Sequence, residues 1–419
     1  MQDIVCGEIG SDDRERWGGP VRLSPDELRA VEALVAEGVL QTRAEACGLS
    51  ITGTDHVGTL ALPTGRRLHI RPKVGNLTLL DWLAYLGDAP PLPPRTAGSG
   101  FALRGSFSQL LADHLLDELQ TLTRRTLRTS SIQQRHDSST VRGRVLPNVL
   151  ARTFHRLPNL PQSRPARTLD TPYHRLLAAA LDRLPRLLPD DETTARRLSA
   201  VRHEWSAIDR DPFDVAGTAA ACAAHCPPGY AAPVRLASLS LLGASPARGT
   251  PLGGALLVSL AGVWERAVRR MCAEVAPRTG WRVLPDSART QRWDDGPGLR
   301  DPARWMTADV LLEAPGRRWV LDAKYKRGYG DEERTDRFQM TAYAMAFGAG
   351  RATLVYPTAT TPRPRWRLLL SGQIGGAPTR IDSIELPMSA GPAPCRQALL
   401  EAMLALGAPA AAPGVCPTV

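Results

Sequence analysis

Asp309, Asp322 and Lys324 are the residues of this chain whose types and spacing can do chemistry together. Asp322 and Lys324 lie in "VLDAKYKRG" (320–328), which reads as the end of a strand, where residues i and i+2 emerge on one face. "TADVLLEA" ahead of it reads as a second strand and "PGRR" as the turn between them, so the fold-back carries Asp309 to the same edge. Two carboxylates and an ammonium there make part of a site for a hard divalent cation, which takes oxygen ligands and keeps several waters. Glu265, in "VWERAV" on a preceding helix, is the candidate third carboxylate; Glu274 on the same helix competes for that role. Asp309, Asp322 and Glu265 would then hold Mg²⁺ or Mn²⁺, which polarises a phosphoryl group and lowers the pKa of a bound water. Lys324 would orient or deprotonate the nucleophile or stabilise the pentavalent charge.

D-x-K alone is a weak pattern, because an exposed strand of alternating charges produces it by chance. The lysines themselves add weight: the chain has three, Lys73, Lys324 and Lys326, against 49 arginines. In so Arg-biased a sequence a retained Lys is a candidate for work that a bulkier, permanently charged guanidinium cannot do. Lys326 shares the face of Lys324 and is a candidate phosphate contact, solvation being the plainer reading. The helix "DRFQMTAYAMAFG" places Gln339 and Tyr343 four apart on one face, next to the site or simply in helix packing; packing is the favoured reading for Tyr343.

Around these residues the pattern runs α, three β, α, β from about 250. It comprises the helix "ALLVSLAGVWERAVRRMCAEV", the strand "WRVLP", the two strands named above, the helix with Gln339, and "ATLVYP". "DSARTQRWDDGPGLRDPARWM" between them reads as an irregular, mobile loop. Upstream, "SPDELRAVEALVAEG" is a helix with Ser24 as N-cap and Glu27 closing a capping box. "HVGTLALPTGRRLHIRPKV" is a hairpin turning at Pro63 to Arg66, "LTLLDWLAYLG" a short helix, and "GDAPPLPPRTAGSG" (87–100) a linker. The middle of the chain is expected to be mainly helical. From Arg124 to Arg167 it carries ten arginines against one acidic residue, Asp137, which suits a phosphate backbone or, equally, a solvated face.

Composition bounds the rest. At 419 residues the chain is long enough for two or three domains, and a net charge of +10 favours a polyanionic partner such as nucleic acid. Seven irregularly spaced cysteines do not make a disulfide framework, and Cys222, His225 and Cys226 lack the second ligand pair of a zinc site. No leader or membrane-length apolar run is present, so a cytoplasmic protein is expected, with no membrane partner. No G-x-x-x-x-G-K-[ST] loop occurs, so no nucleotide is expected on this chain itself.

Asp309, D-A-K at 322–324, Gln339 and "LVYP" (354–357) resemble the PD-(D/E)xK nuclease superfamily, and "VLDAKYK…DRFQMTAYA…LVYP" resembles the McrC family within it. "VGTLALPTGRRLHIRPKVGNLTLLDWLAYLG", the step "VRGRV" (141–145) and "DTPYHRLLAAALDRL" are similar to that family too, so the resemblance covers most of residues 50–360. One departure is Ala308, where the family usually has Pro.

The resemblance implies an α+β, partly α/β, multidomain protein. A β-rich and helical partner-docking domain (1–95) and an Arg-rich, mainly helical region (96–249) would precede a restriction-endonuclease-like αβββαβ nuclease domain (250–390) and a C-terminal helix with a flexible tail (391–419). It further implies Mg²⁺-dependent cleavage of double-stranded DNA carrying modified cytosine, with an McrB-like AAA+ GTPase hexamer as separate motor, docked on residues 1 to about 245 and stimulated by them. A DNA-binding adaptor on a decayed nuclease fold and an autonomous repair nuclease are the alternatives. Lys73 reads as a packing or partner contact, or as solvated.

Overall fold

A computed structural model describes residues 3–8, 17–91, 106–125, 127–153, 158–188, 192–243, 254–292, 305–326, 334–358, 365–374 and 376–407. They fall into two compact units, Met1–Ser108 with Ala244–Val419 and Gln109–Gly243. This division differs from the expected succession of regions, because residues from both ends of the chain share the first unit.

The first unit opens with β1 (Ile4–Gly7) and α1 (Pro25–Ala36), followed by β2 (Leu40–Glu45), β3 (Gly48–Gly53), β4 (His56–Ala61), β5 (Arg67–Arg71) and α2 (Asn76–Leu86). Ser24 and Glu27 make the reciprocal capping box read from the sequence. The β4–β5 hairpin closes with Leu62 donating to the Arg66 carbonyl and with Gly65 at a positive φ that other residues disfavour.

The second unit contains most of α3 (Phe107–Arg124), then β6 (Ser130–Ser138), β7 (Arg144–Val145), α4 (Pro147–Thr153) and β8 (Leu160–Thr168). Four helices follow: α5 (Pro172–Arg183), α6 (Glu192–Glu204), α7 (Val215–Ala224) and α8 (Ala231–Leu242). Most of the Arg-rich stretch is thus strand rather than helix, an antiparallel sheet ordered β6-β8-β7 with α4 between β7 and β8 and with β6 largely exposed. Gly143 in the R-G-R step sits against the Ser163 carbonyl of β8, where a Cβ would overlap it. Buried Gln162 accepts the Arg142 and Gly143 amides at 2.7 and 2.8 Å and donates to the Thr140 carbonyl, so its side chain fixes the turn.

The chain re-enters the first unit through β9 (Gly254–Ser259), then α9 (Leu260–Val275), β10 (Arg282–Val283), β11 (Thr290–Arg292), β12 (Trp305–Thr307), β13 (Val310–Ala314) and β14 (Arg317–Ala323). After these come α10 (Arg334–Phe347), β15 (Arg351–Thr358), β16 (Arg365–Ile374), β17 (Ala377–Pro387) and α11 (Pro392–Gly407). The long helix expected from Ala255 starts only at Leu260. "ALLVS" is a strand pairing antiparallel with β4, which completes a sheet ordered β1-β5-β4-β9. Its four buried apolar residues in a row fit a strand covered on both faces as well as a helix turn, and Ser259 caps the helix that follows.

The second sheet of this unit is ordered β10-β13-β14-β15-β17-β16, antiparallel from β13 to β14 and parallel from β14 to β15. A core of Leu311, Val320, Met340, Phe347, Leu354, Tyr356 and Ile381 fills the space between this sheet and α10. Helix α9 is tied to the sheet by Trp264, whose indole donates to the Val355 carbonyl at 3.0 Å. The ends of the expected irregular loop pair as β11 and β12, while residues 293–304 lie outside the described residues, as do the expected linker from residue 92 and the tail beyond 407.

Candidate active site

Strand β14 is the platform. Its pairing with β15 runs past Ala323, because the Lys324 amide donates to the Val355 carbonyl at 3.0 Å, so residues 322–324 are held as a strand end. Asp322 and Lys324 therefore share a face, and the Lys324 Nζ lies 2.8 Å from Asp322 Oδ2. That oxygen is buried and accepts no hydrogen bond of regular geometry; the ammonium is its contact. Asp309, just before β13, reaches the same place: its Oδ2 accepts the Ala323 amide at 2.7 Å. The three residues with chemistry in their spacing are thus brought together by the β13–β14 hairpin.

Asp309 is positioned by its own main chain. Its carbonyl accepts from Arg269 of α9 at 3.3 Å and from Arg289 at 3.4 Å, and Arg289 also donates to the Ala308 carbonyl at 2.7 Å. Ala308, where the family usually has Pro, uses the amide that Pro lacks: it donates to the Arg289 carbonyl at 3.0 Å, extending the β11–β12 pairing.

Glu265 stands close enough to Asp309 and Asp322 for its charge to raise the pKa of both, but its carboxylate is paired with Arg269 at 2.8 Å. Glu274, the competitor, is engaged elsewhere, with Arg270 and Arg396. Among the described residues no three acidic, histidine or cysteine side chains are clustered tightly enough to cage an ion unaided.

Helix α10 supplies the facing wall. Gln339 donates to the Tyr343 hydroxyl at 2.8 Å, and that hydroxyl donates to the Thr307 carbonyl at 3.0 Å, two residues before Asp309. Tyr343 also packs in the core, and the charges of Asp322 and Asp309 add to burial in raising its pKa, so it both packs and borders the site. Asp336, not singled out from the sequence, is buried on the same helix. It binds Lys326 at 2.7 Å and accepts from the Tyr356 hydroxyl at 3.2 Å. Lys326 is therefore ion-paired within the protein. The signal for Asp336 was present only as an acidic residue in the first turn of the Gln339 helix, a position common enough at helix N-termini to pass unnoticed.

Burial, then the charge of Asp322, pushes the Asp309 carboxyl up to about 6, with Glu265 adding to the effect and the Ala323 amide and Lys324 opposing it. Asp322 is raised as well, by burial first, against the pull of Lys324 and with help from Asp336 and Glu265. Asp309, Asp322 and Glu265 crowd one low-dielectric corner, with the Lys324 ammonium on Asp322 and Arg269 on Glu265. The donor set is all oxygen and its surplus negative charge is unfavourable as it stands, which fits a hard divalent cation that brings its own waters.

Lys73 is half-buried beside this corner rather than in it. Its Nζ stacks 4.2 Å from the ring centroid of Tyr325, the residue between Lys324 and Lys326.

A family model described as the McrBC 5-methylcytosine restriction system component matches residues 51–357. No curated protein matches. Among solved structures, a chain of the refined half-complex from the tetradecameric assembly of Thermococcus gammatolerans McrB AAA+ hexamers with bound McrC is similar over 91% of this chain and 90% of that one. Its TM-score is 0.63 at 15% identity, a likeness of fold. A chain of the cryo-EM structure of the T. gammatolerans McrBC complex covers 65% of this chain and 87% of its own, at a TM-score of 0.45 and 15% identity. With nearly three quarters of its length matched, the chain belongs to the McrBC 5-methylcytosine restriction system family.

Proposed function

We propose that this chain is the nuclease subunit of a modification-dependent (type IV) restriction system, cutting double-stranded DNA that carries modified cytosine at a PD-(D/E)xK site. The observation that carries the proposal is the convergence of Asp309, Asp322 and Lys324 at the ends of β13 and β14, with Gln339 on the facing helix. In this reading Asp309 and Asp322 would hold Mg²⁺ or Mn²⁺, with Glu265 as the third carboxylate once released from Arg269. When bound, the metal supplies Lewis-acid polarisation of the scissile phosphate and a more acidic water.

Lys324 holds its ammonium against Asp322 and is placed to orient the attacking water or, as the neutral amine after giving its own proton to solvent, to take the proton of that water. Arg269 and Arg289 fix the Asp309 main chain, so the carboxylate is presented without rearrangement. The β6–β8–β7 sheet, with Arg135, Arg144, Arg164 and Arg167, supplies cations for a phosphate backbone.

The motor in this reading is a separate McrB-like AAA+ GTPase hexamer whose hydrolysis the chain stimulates, as family membership and the fold shared with a chain of the McrB–McrC half-complex support. The test is cleavage of cytosine-methylated and unmethylated plasmid by this protein, alone and with the AAA+ protein encoded beside it, with and without GTP. Cutting that needs partner and nucleotide and prefers methylated DNA is expected. Cutting of unmodified DNA by the chain alone would make it an autonomous nuclease, and partner binding with no cutting under any condition would make it an adaptor.

A further inference from the structure

Between Lys324 and Lys326, Tyr325 turns toward the N-terminal residues. Its hydroxyl donates to Glu8 Oε1 at 2.9 Å. The same oxygen accepts the Lys73 amide at 2.7 Å, and the Lys73 ammonium lies over the Tyr325 ring. Glu8 follows β1 directly, donates its own amide to the Arg71 carbonyl and bridges Gly53, so its position is set by β5 and β3. The carboxylate is completely buried, and its second oxygen has no hydrogen-bond partner. Removing the carboxylate would leave the Lys73 amide and the Tyr325 hydroxyl without their common acceptor, so Glu8 is the group that ties the two together.

A second grip lies on the other limb of the site. Asp55, between β3 and β4, accepts from the Ser259 hydroxyl at 3.1 Å, and its carbonyl accepts the Leu260 amide at 2.7 Å. Those residues start α9, the helix that carries Glu265 and Arg269. The N-terminal strands therefore hold both the strand end with Lys324 and the helix with Glu265.

We propose that Glu8 and Lys73 are positioning residues for the Lys324–Lys326 strand end, acting through Tyr325. Fixing the Tyr325 ring from one side fixes the backbone on both sides of it, which sets Lys324 on Asp322 and Lys326 on Asp336. The expected consequence for catalysis rests on the nuclease reading; the structural coupling does not.

The composition supplies an assay that separates the two. With three lysines in the chain, reductive methylation with ¹³C-formaldehyde yields a spectrum of three lysine signals plus the N-terminal amine, assignable by single Lys→Arg variants. The Lys73 signal is expected to be shifted by the Tyr325 ring current and to lose that shift in Tyr325→Leu. In Glu8→Ala and Tyr325→Phe the Lys324 and Lys326 signals are expected to move or broaden with no DNA or partner present, and Glu8→Gln, which keeps the acceptor oxygen, should restore them. Lys324 and Lys326 signals that stay in place in both variants would overturn the proposal. In the assembled complex, Glu8→Ala and Tyr325→Phe are expected to lower kcat about tenfold with the KM for DNA unchanged. A loss of thermal stability with kcat per folded molecule intact would show a structural role instead and overturn it. Should the wild-type complex not cleave at all, the spectrum still decides the coupling.

Discussion

The Asp309 carboxylate accepts the Ala323 amide at 2.7 Å, so the acid at the entry of one strand is tied to the residue that separates Asp322 from Lys324 in the next. Two strands of a hairpin thereby present two carboxylates and an ammonium as one rigid group. The hydrogen bond also favours the charged form of Asp309, against the burial and the neighbouring acids that disfavour it. Burial and the neighbouring acids win, and the carboxyl ends near 6.

Neutralising Asp309 is therefore expected to stabilise the metal-free protein. Folding raises its pKa from 3.8 to about 6, so the native state binds the proton more tightly and stability falls as pH rises across that interval. Asp309→Asn should gain about 1 to 3 kcal/mol over wild type above pH 6, with the gain fading below pH 4. Urea denaturation at pH 4 and pH 8 measures it. A variant less stable than wild type at pH 8 would mean that the carboxylate is well accommodated without a cation.

Glu8 gives the second pH signature. Its pKa rises from 4.5 to about 7, burial outweighing Lys73 and the Tyr325 hydrogen bond, with Asp55 adding repulsion. Native wild type should lose on the order of 3 kcal/mol between pH 4.5 and pH 7 from this group. Glu8→Gln should flatten that slope, and a pH–stability curve parallel to wild type would show that Glu8 stays charged in the fold.

Ala308→Pro restores the residue usual in the family but is expected to weaken this protein. It removes the amide that donates to Arg289, at a cost of roughly 1 to 3 kcal/mol. Chemical denaturation of the variant at neutral pH checks it; unchanged or increased stability would show that the Arg289 bond contributes little.

Lys324→Arg keeps the charge and is expected to fail, since the guanidinium is bulkier than the ammonium now 2.8 Å from Asp322 and does not give up its proton near neutral pH. Cleavage by the assembled complex should drop about a hundredfold or more. Turnover near wild type would show that the lysine supplies charge only.

Much of the site was legible because it is local: i and i+2 in a strand fix Asp322 with Lys324, and a four-residue turn returns Asp309 to them. The capping box of Ser24 and the Pro63 to Arg66 turn were legible for the same reason. What escaped depends on pairing across long sequence separations. "ALLVS" is a strand because β4, nearly two hundred residues earlier, is there to pair with it, and its apolar run alone fits a helix equally well. β6 and β8 stayed hidden because strands made mostly of polar residues, with Ile132 alone among the polar residues of β6, have no apolar alternation to show. β16 and β17 passed unread: Arg365 to Leu368 do alternate, but β16 exposes Trp366, Leu368 and Leu370 and buries neither face, so its apolar positions mark no core. Lys73 was noticed for its rarity, yet its partners, Glu8 and Tyr325, lie far from it along the chain in opposite directions.

The most direct measurement is single-turnover cleavage of cytosine-methylated plasmid by the complex with its AAA+ partner, comparing wild type with Lys324→Ala and Asp322→Asn, with and without Mg²⁺. Cutting by wild type that requires Mg²⁺, and its loss in both variants while partner binding and GTP hydrolysis persist, is the predicted result. Undiminished cutting by either variant would place the chemistry elsewhere and contradict the assignment of Asp322 and Lys324.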